Sequence, residues 1–225
     1  MTSWRKIPPF VVQDLKLRRK GIAVVLGVIP ALYILGVWLN PYVQNASDAG
    51  RFILSLRFEF FHNPLFILMI GMSSQPGEWV MIRRYTRRGE MAGYEICFIL
   101  FYAFCFMLVV FMSGTLIYNM VLHQPFTEIP SLLVFAGLFY LVTVSIGLLF
   151  LSVGAASSKV ISSIILIALV VLDRFTAAII PSIFYGQNVN PSTAACVLLL
   201  VIGLISFIIV FQMKGKDYYG KDESH

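Results

Sequence analysis

Six long apolar runs separated by short polar stretches set the pattern of this 225-residue chain. A helix needs about 20 mainly apolar residues to cross the hydrocarbon core of a bilayer. Runs of that length fall at residues 21–40, 52–74, 96–120, 131–152, 160–180 and 193–213. The pattern predicts an all-α integral membrane protein with six transmembrane helices in one domain, 1–213, and a solvated tail, 214–225. The second and fifth runs are the least clean. The second carries Arg57, Glu59 and His62 near its start and Asn63-Pro64 in its middle; the fifth is broken by Asp173-Arg174 and followed by Pro181.

Three further segments have a pattern of their own. In residues 4–20, after Pro8-Pro9, apolar Phe10, Val11, Val12, Leu15 and Leu17 alternate with Asp14, Lys16 and Arg18, which predicts a helix lying in the membrane interface and leading into the first span. Residues 75–95 form the longest polar interruption. On a helical wheel Trp79, Ile82, Tyr85 and Thr86 gather on one side and Arg83, Arg84, Arg87 and Arg88 on the other, framed by Pro76-Gly77 and Gly89. That is an amphipathic helix of roughly three turns. Residues 173–191 mix apolar residues with prolines and polar residues. They read as a span that ends early, followed by short interfacial or re-entrant helices, which need protein or water to cover their backbone.

Composition agrees with the pattern. Hydrophobic residues make up 59% and charged residues 12%, about half the charged fraction of soluble domains, and mean hydropathy is +0.85. The net charge of +6 is a topology signal rather than a sign of nucleic-acid binding, because the basic residues flank the apolar runs. Arg5, Lys6, Lys16, Arg18, Arg19, Lys20, the four loop arginines, Lys159, Lys214, Lys216 and Lys221 all fall on one side if both termini are cytoplasmic. Arg51, Arg57 and Arg174 remain at the other. No small-residue cleavage site follows the first apolar run, so that run is expected to stay as a permanent span.

Chemistry is sparse. Cys97, Cys105 and Cys196 lie in apolar stretches with no metal-ligand spacing and are read as buried small hydrophobes. Zinc-helix, nucleophile-elbow and nucleotide-binding motifs are missing. Arg57, Glu59 and His62 either line an outward cavity or gate or snorkel beside external headgroups, with Glu59 and His62 spaced to pair. Asp173 and Arg174 point about 100° apart and mark either a pairing with another span or the place where a span meets water. Pro30, Pro64, Gly137, Gly147 and Gly154 are read as packing devices. The arginines of the loop satisfy the positive-inside rule by themselves. Glu78, Glu90 and Glu95 nevertheless bring residues 75–95 to only +1, and the Trp-bearing face favours docking on a protein partner.

An interfacial N-terminal helix, six spans, a basic amphipathic helix between spans two and three, and a broken segment between spans five and six together resemble the ABC type-2 permeases. The stretch from Ile82-Arg83-Arg84-Tyr85 to Arg87-Arg88 is similar to the cytoplasmic loop of their small bacterial peptide-exporting and lantibiotic-immunity members. The resemblance implies a coupling helix at 78–89, with Glu78, Trp79, Ile82, Arg83, Arg84, Tyr85, Arg87 and Arg88 docked on a separate ATPase dimer. It implies a connecting helix at 4–20 and external re-entrant helices at 173–191. It further implies a second permease copy or paralogue, a bacterial plasma-membrane location among lipids, and ATP with magnesium held by the partner, this chain binding no cofactor and no nucleic acid. The short 153–159 loop departs from the family pattern and leaves the long loop most of the ATPase contact. Two other readings stay open: an intramembrane enzyme acting on lipid or peptide through Glu59, His62 and Asp173, and a secondary carrier.

Overall fold

The structure, a computed structural model, describes residues 7–39, 50, 52–53, 60–72, 88–122, 129–156, 158–185 and 190–215. Their helices are α1 (Ile7–Leu39), α2 (His62–Met72), α3 (Arg88–Leu122), α4 (Ile129–Ala156), α5 (Lys159–Phe175), α6 (Ile179–Tyr185) and α7 (Pro191–Gly215). Four contain windows long and apolar enough to cross a membrane: Ile22–Leu39, Ala92–Met120, Ile129–Gly154 and Pro191–Gln212. The chain has the helices of a membrane protein.

Exposure supports the same conclusion independently. Leu200 is 75% exposed, Phe211 72% and Val160 70%, whereas Thr143 and Ser162 are completely buried. In water this distribution would be inverted, because apolar surface drives burial. A surface greasier than parts of its interior fits hydrocarbon as the surrounding solvent. The buried hydroxyls of Thr143, Ser145 and Ser162 and the half-buried one of Ser163 are satisfied locally, each donating to the carbonyl four residues earlier, as a low-dielectric interior demands.

The helices differ from the expected spans in four places. First, α1 runs unbroken for 33 residues, so the expected boundary between an interfacial helix and the first span is not a break in the helix. Pro8 and Pro9 sit inside its first turn, where a missing N–H removes no intrahelical bond. Second, the run 52–74 is not one helix. Phe60 and Phe61 form a turn, and α2 covers only 11 residues, about 16 Å against a hydrocarbon thickness of about 30 Å. Third, α3 begins at Arg88, so residues 88–95 of the expected loop are helix and Gly89 does not end one. Ala92, Tyr94 and Glu95 are buried there, because two turns of α3 pack against the core before the apolar run begins. Fourth, α5 stops at Phe175 instead of residue 180. Thr176 and Ala177 turn, Ala178 takes a positive φ of 50°, and the short α6 follows.

Helix ends follow their sequences. Ser158 accepts from the Ile161 N–H at the start of α5 (3.3 Å), and Asn190 accepts from the Ser192 N–H (2.9 Å) with Pro191 in the first position of α7. Both are preferred N-terminal arrangements. In the assembly α3 packs on α1 and α4, α7 lies along α4 and α3, and α2 is wedged among α1, α3, α4 and α5. A Cβ at Gly147 would come within 2.5 Å of the Ile99 side chain and 3.2 Å of Phe66, so glycine is what lets α4 approach both α3 and α2. At Gly137 the corresponding space is open, and the expected packing role is not seen there.

Candidate functional site: a polar centre at the start of the second helix

The wedge position of α2 brings a small polar group into the middle of an aromatic cluster. His62, the first residue of α2, is 1% exposed. Its Nε2 lies 2.9 Å from the Tyr33 hydroxyl of α1, which also donates to the Ile53 carbonyl at 3.2 Å. A phenol has one proton. With that proton on the Ile53 carbonyl, His62 donates its Nε2–H to the Tyr33 oxygen, and both contacts are used. Tyr33 stacks on Phe52 with ring centroids 5.7 Å apart, and His62 meets Phe139 of α4 edge-on at 5.7 Å. Phe52 in turn packs on Tyr118 of α3, and Phe139 on Phe106 and Phe111. One hydroxyl and one imidazole therefore tie together the start of α2, the C-terminal part of α1 and the 52–53 segment.

Asn63 follows directly. It is 1% exposed, and neither its Oδ1 nor its Nδ2 has a hydrogen-bond partner among the described residues. A carboxamide in that condition is expensive in any low-dielectric interior.

The candidates named from sequence fall into three groups. His62 does not snorkel: at 1% exposure it is enclosed by protein. Arg57 and Glu59, and with them the expected Glu59–His62 pairing, lie outside the described residues. Asp173 is committed to helix termination. Its Oδ1 accepts from the Ile179 N–H (3.0 Å) and its Oδ2 from the Ile180 N–H (2.9 Å), while its backbone carbonyl accepts from Ala178 N–H (2.6 Å). The first N–H groups of α6 have no intrahelical acceptor, and a carboxylate six residues upstream supplies one. The structure thus gives Asp173 a capping role. Arg174, half-buried in the last turn of α5, stands where a cation complements the helix C-terminus.

For the docking loop, Glu78, Trp79, Ile82, Arg83, Arg84, Tyr85 and Arg87 lie outside the described residues, and Arg88 is the first residue of α3. Glu95, counted with that loop on sequence, is 9% exposed within the bundle. Without it, Glu78 and Glu90 oppose four arginines and the segment carries +2 instead of +1. Cys97 and Cys105 are half-buried, but Cys196 is exposed on α7, a correction to its reading as a buried residue; all three are free. Among the described residues no group of three or more His, Cys, Asp or Glu side chains could hold a metal ion.

Sequence reasoning missed Tyr33, Ile53 and Phe139 as partners of His62, because inside an apolar run a tyrosine reads as one more hydrophobe. It also missed an open groove of about 420 Å³ between the first halves of α4 and α7, lined by Val134, Gly137, Tyr140 and Leu141 against Ser192 and Ala195. No family model matches the chain, and neither does a curated protein or a solved structure.

Proposed function

We propose that this chain is the membrane-spanning permease subunit of an ATP-driven exporter of the ABC type-2 kind. It moves a hydrophobic or amphipathic cargo, such as a peptide, toxin, drug or lipid, and is powered by a separate ATPase dimer docked on residues 78–89. The observation that carries the reading is the continuity of α3. The basic segment ends at Arg88 and the helix that starts there runs 35 residues, about 52 Å, through the packed centre to Leu122. A push delivered to the start of this helix at Arg88 is carried along one unbroken helix into the bundle. That is what a coupling element requires of its neighbour.

Other features support the reading. Gly71 of α2 sits against Ser163 of α5, and Phe60 rests on Phe175 with centroids 6.2 Å apart, so these helices run antiparallel. Ser152 of α4 donates to Gln212 of α7 (3.5 Å) near the C-terminal ends of these helices, and Gly137 lines the groove with Ser192 and Ala195 in their first halves, so the two run parallel. Both directions agree with a chain that alternates across a bilayer, α2 and α5 completing a six-span count, and the flanking basic residues favour cytoplasmic termini. The short α6 and its Asp173 cap would form the closure on the external side. ATP and magnesium would be held by the partner, and the working unit would pair two permease chains.

The test is co-purification and coupling. An ATPase subunit encoded beside this chain is expected to co-purify with it in mild detergent. Reversing Arg83, Arg84 and Arg87 to Glu together is expected to abolish the stimulation of ATP hydrolysis by this subunit while the permease still folds. If the neighbouring ATPase does not bind, or the triple reversal leaves coupled hydrolysis intact, the reading fails.

A further inference from the structure

The short α2 is held differently at its two ends. Near its C-terminus Gly71 is pressed against α5 and α4: a Cβ there would lie 2.8 Å from the Ser163 Oγ and 3.8 Å from the Phe150 ring. At its N-terminus the helix is tied down by the His62–Tyr33 contact of 2.9 Å. Directly beside that tie is the buried Asn63 carboxamide, both of whose polar atoms lack a hydrogen-bond partner among the described residues. The preceding turn at Phe60 and Phe61 separates α2 from the 52–53 segment.

A buried amide without partners raises the free energy of the arrangement that buries it. It does so at the end of α2 away from the close Gly71 contact. We infer that α2 is a two-position element. The His62–Tyr33 contact latches its N-terminal turn in the buried position, and the Asn63 carboxamide biases that turn toward a second position in which it is hydrogen-bonded to water. Gly71 is the pivot. Adjacent residues thus act in opposite senses, and the balance between them sets how often the turn opens.

Hydrogen–deuterium exchange on the full chain in lipid nanodiscs tests it, comparing peptides covering residues 60–72 with peptides covering 103–118 of α3 as an internal control. Tyr33→Phe keeps the ring and removes the latch, and is expected to speed exchange in 60–72 about fivefold or more. Asn63→Leu keeps the volume and removes the bias, and is expected to slow the same peptides about tenfold, the order of effect that an unsatisfied buried amide exerts on a local opening equilibrium. The α3 peptides are expected to stay unchanged in both. Asn63→Ala carries the same expectation should the leucine variant fail to fold. If Asn63→Leu leaves 60–72 unchanged, or slows 60–72 and 103–118 equally as general stabilisation would, the two-position element is ruled out.

Discussion

The α4–α7 pair and the α2–α5 pair solve the same packing problem in opposite ways. α4 and α7 are 28 and 25 residues long, run parallel, and meet through apolar side chains with the Ser152–Gln212 contact near one end. α2 and α5 are 11 and 17 residues long, run antiparallel, and are surrounded by placed polar groups: His62 and Asn63 at the start of one, Ser158, Ser162 and Ser163 at the start of the other, Asp173 at its end. A helix long enough to fill the hydrocarbon core needs only a surface that packs. A shorter helix leaves its ends at depth, and those ends must find hydrogen-bond partners inside the protein. Length and polarity trade against each other along this chain.

Tyr33→Ala is expected to have the largest effect on the α2 end of the bundle. That change empties the volume of a fully buried tyrosine and removes its contact with His62 at once, and it is expected to destabilise the protein by about 3–5 kcal/mol, the range of large aromatic truncations. Denaturant titration of the chain in bicelles, followed by tryptophan fluorescence, reads the change directly. A loss below about 1 kcal/mol would mean that the polar centre does not organise the start of α2. Asp173→Ala is the intermediate case. Losing the cap on α6 is expected to cost about 1 kcal/mol and to raise exchange in residues 173–185 selectively, while leaving α4 and α7 protected. Leu200→Ala on α7 is the smallest. At 75% exposure the side chain contacts lipid in either state, so a shift within about 0.5 kcal/mol is expected in the same titration. A large loss there would show that α7 is covered by protein and would move it out of the lipid-facing class.

How legible this was in the sequence follows the same division. The four long helices could be read from run length alone, since about 20 apolar residues determine a span almost regardless of detail. The second and fifth runs, where Arg57, Glu59, His62 and Asp173 interrupt the pattern, are where the helices come out short. The interruptions marked the right places, but not their meaning. His62 looks interfacial on sequence because its distance from the run's edge is counted along the chain; the turn at Phe60 and Phe61, which makes it a helix start deep in the bundle, has no signature among such apolar neighbours. Asp173 looks like an isolated intramembrane charge because its partners are backbone N–H groups six and seven residues later, and backbone donors are invisible to residue pattern. The faces of α2 and α4 could not be assigned either. When lipid and core are equally apolar, helical periodicity carries little contrast.

The shortness of α2 also has a consequence for how the protein is made. A helix of 11 residues, apolar as most of it is, is too short to span a bilayer by itself as it leaves the ribosome. Tyr33 is synthesised before it, but Phe139, which closes the other side of the His62 ring, follows 77 residues later. At about 5–20 residues per second, that is a wait on the order of 4–15 s. Throughout it the nascent chain must shelter an incomplete polar centre, so biogenesis of this protein is most exposed to quality control between the emergence of its second helix and its fourth.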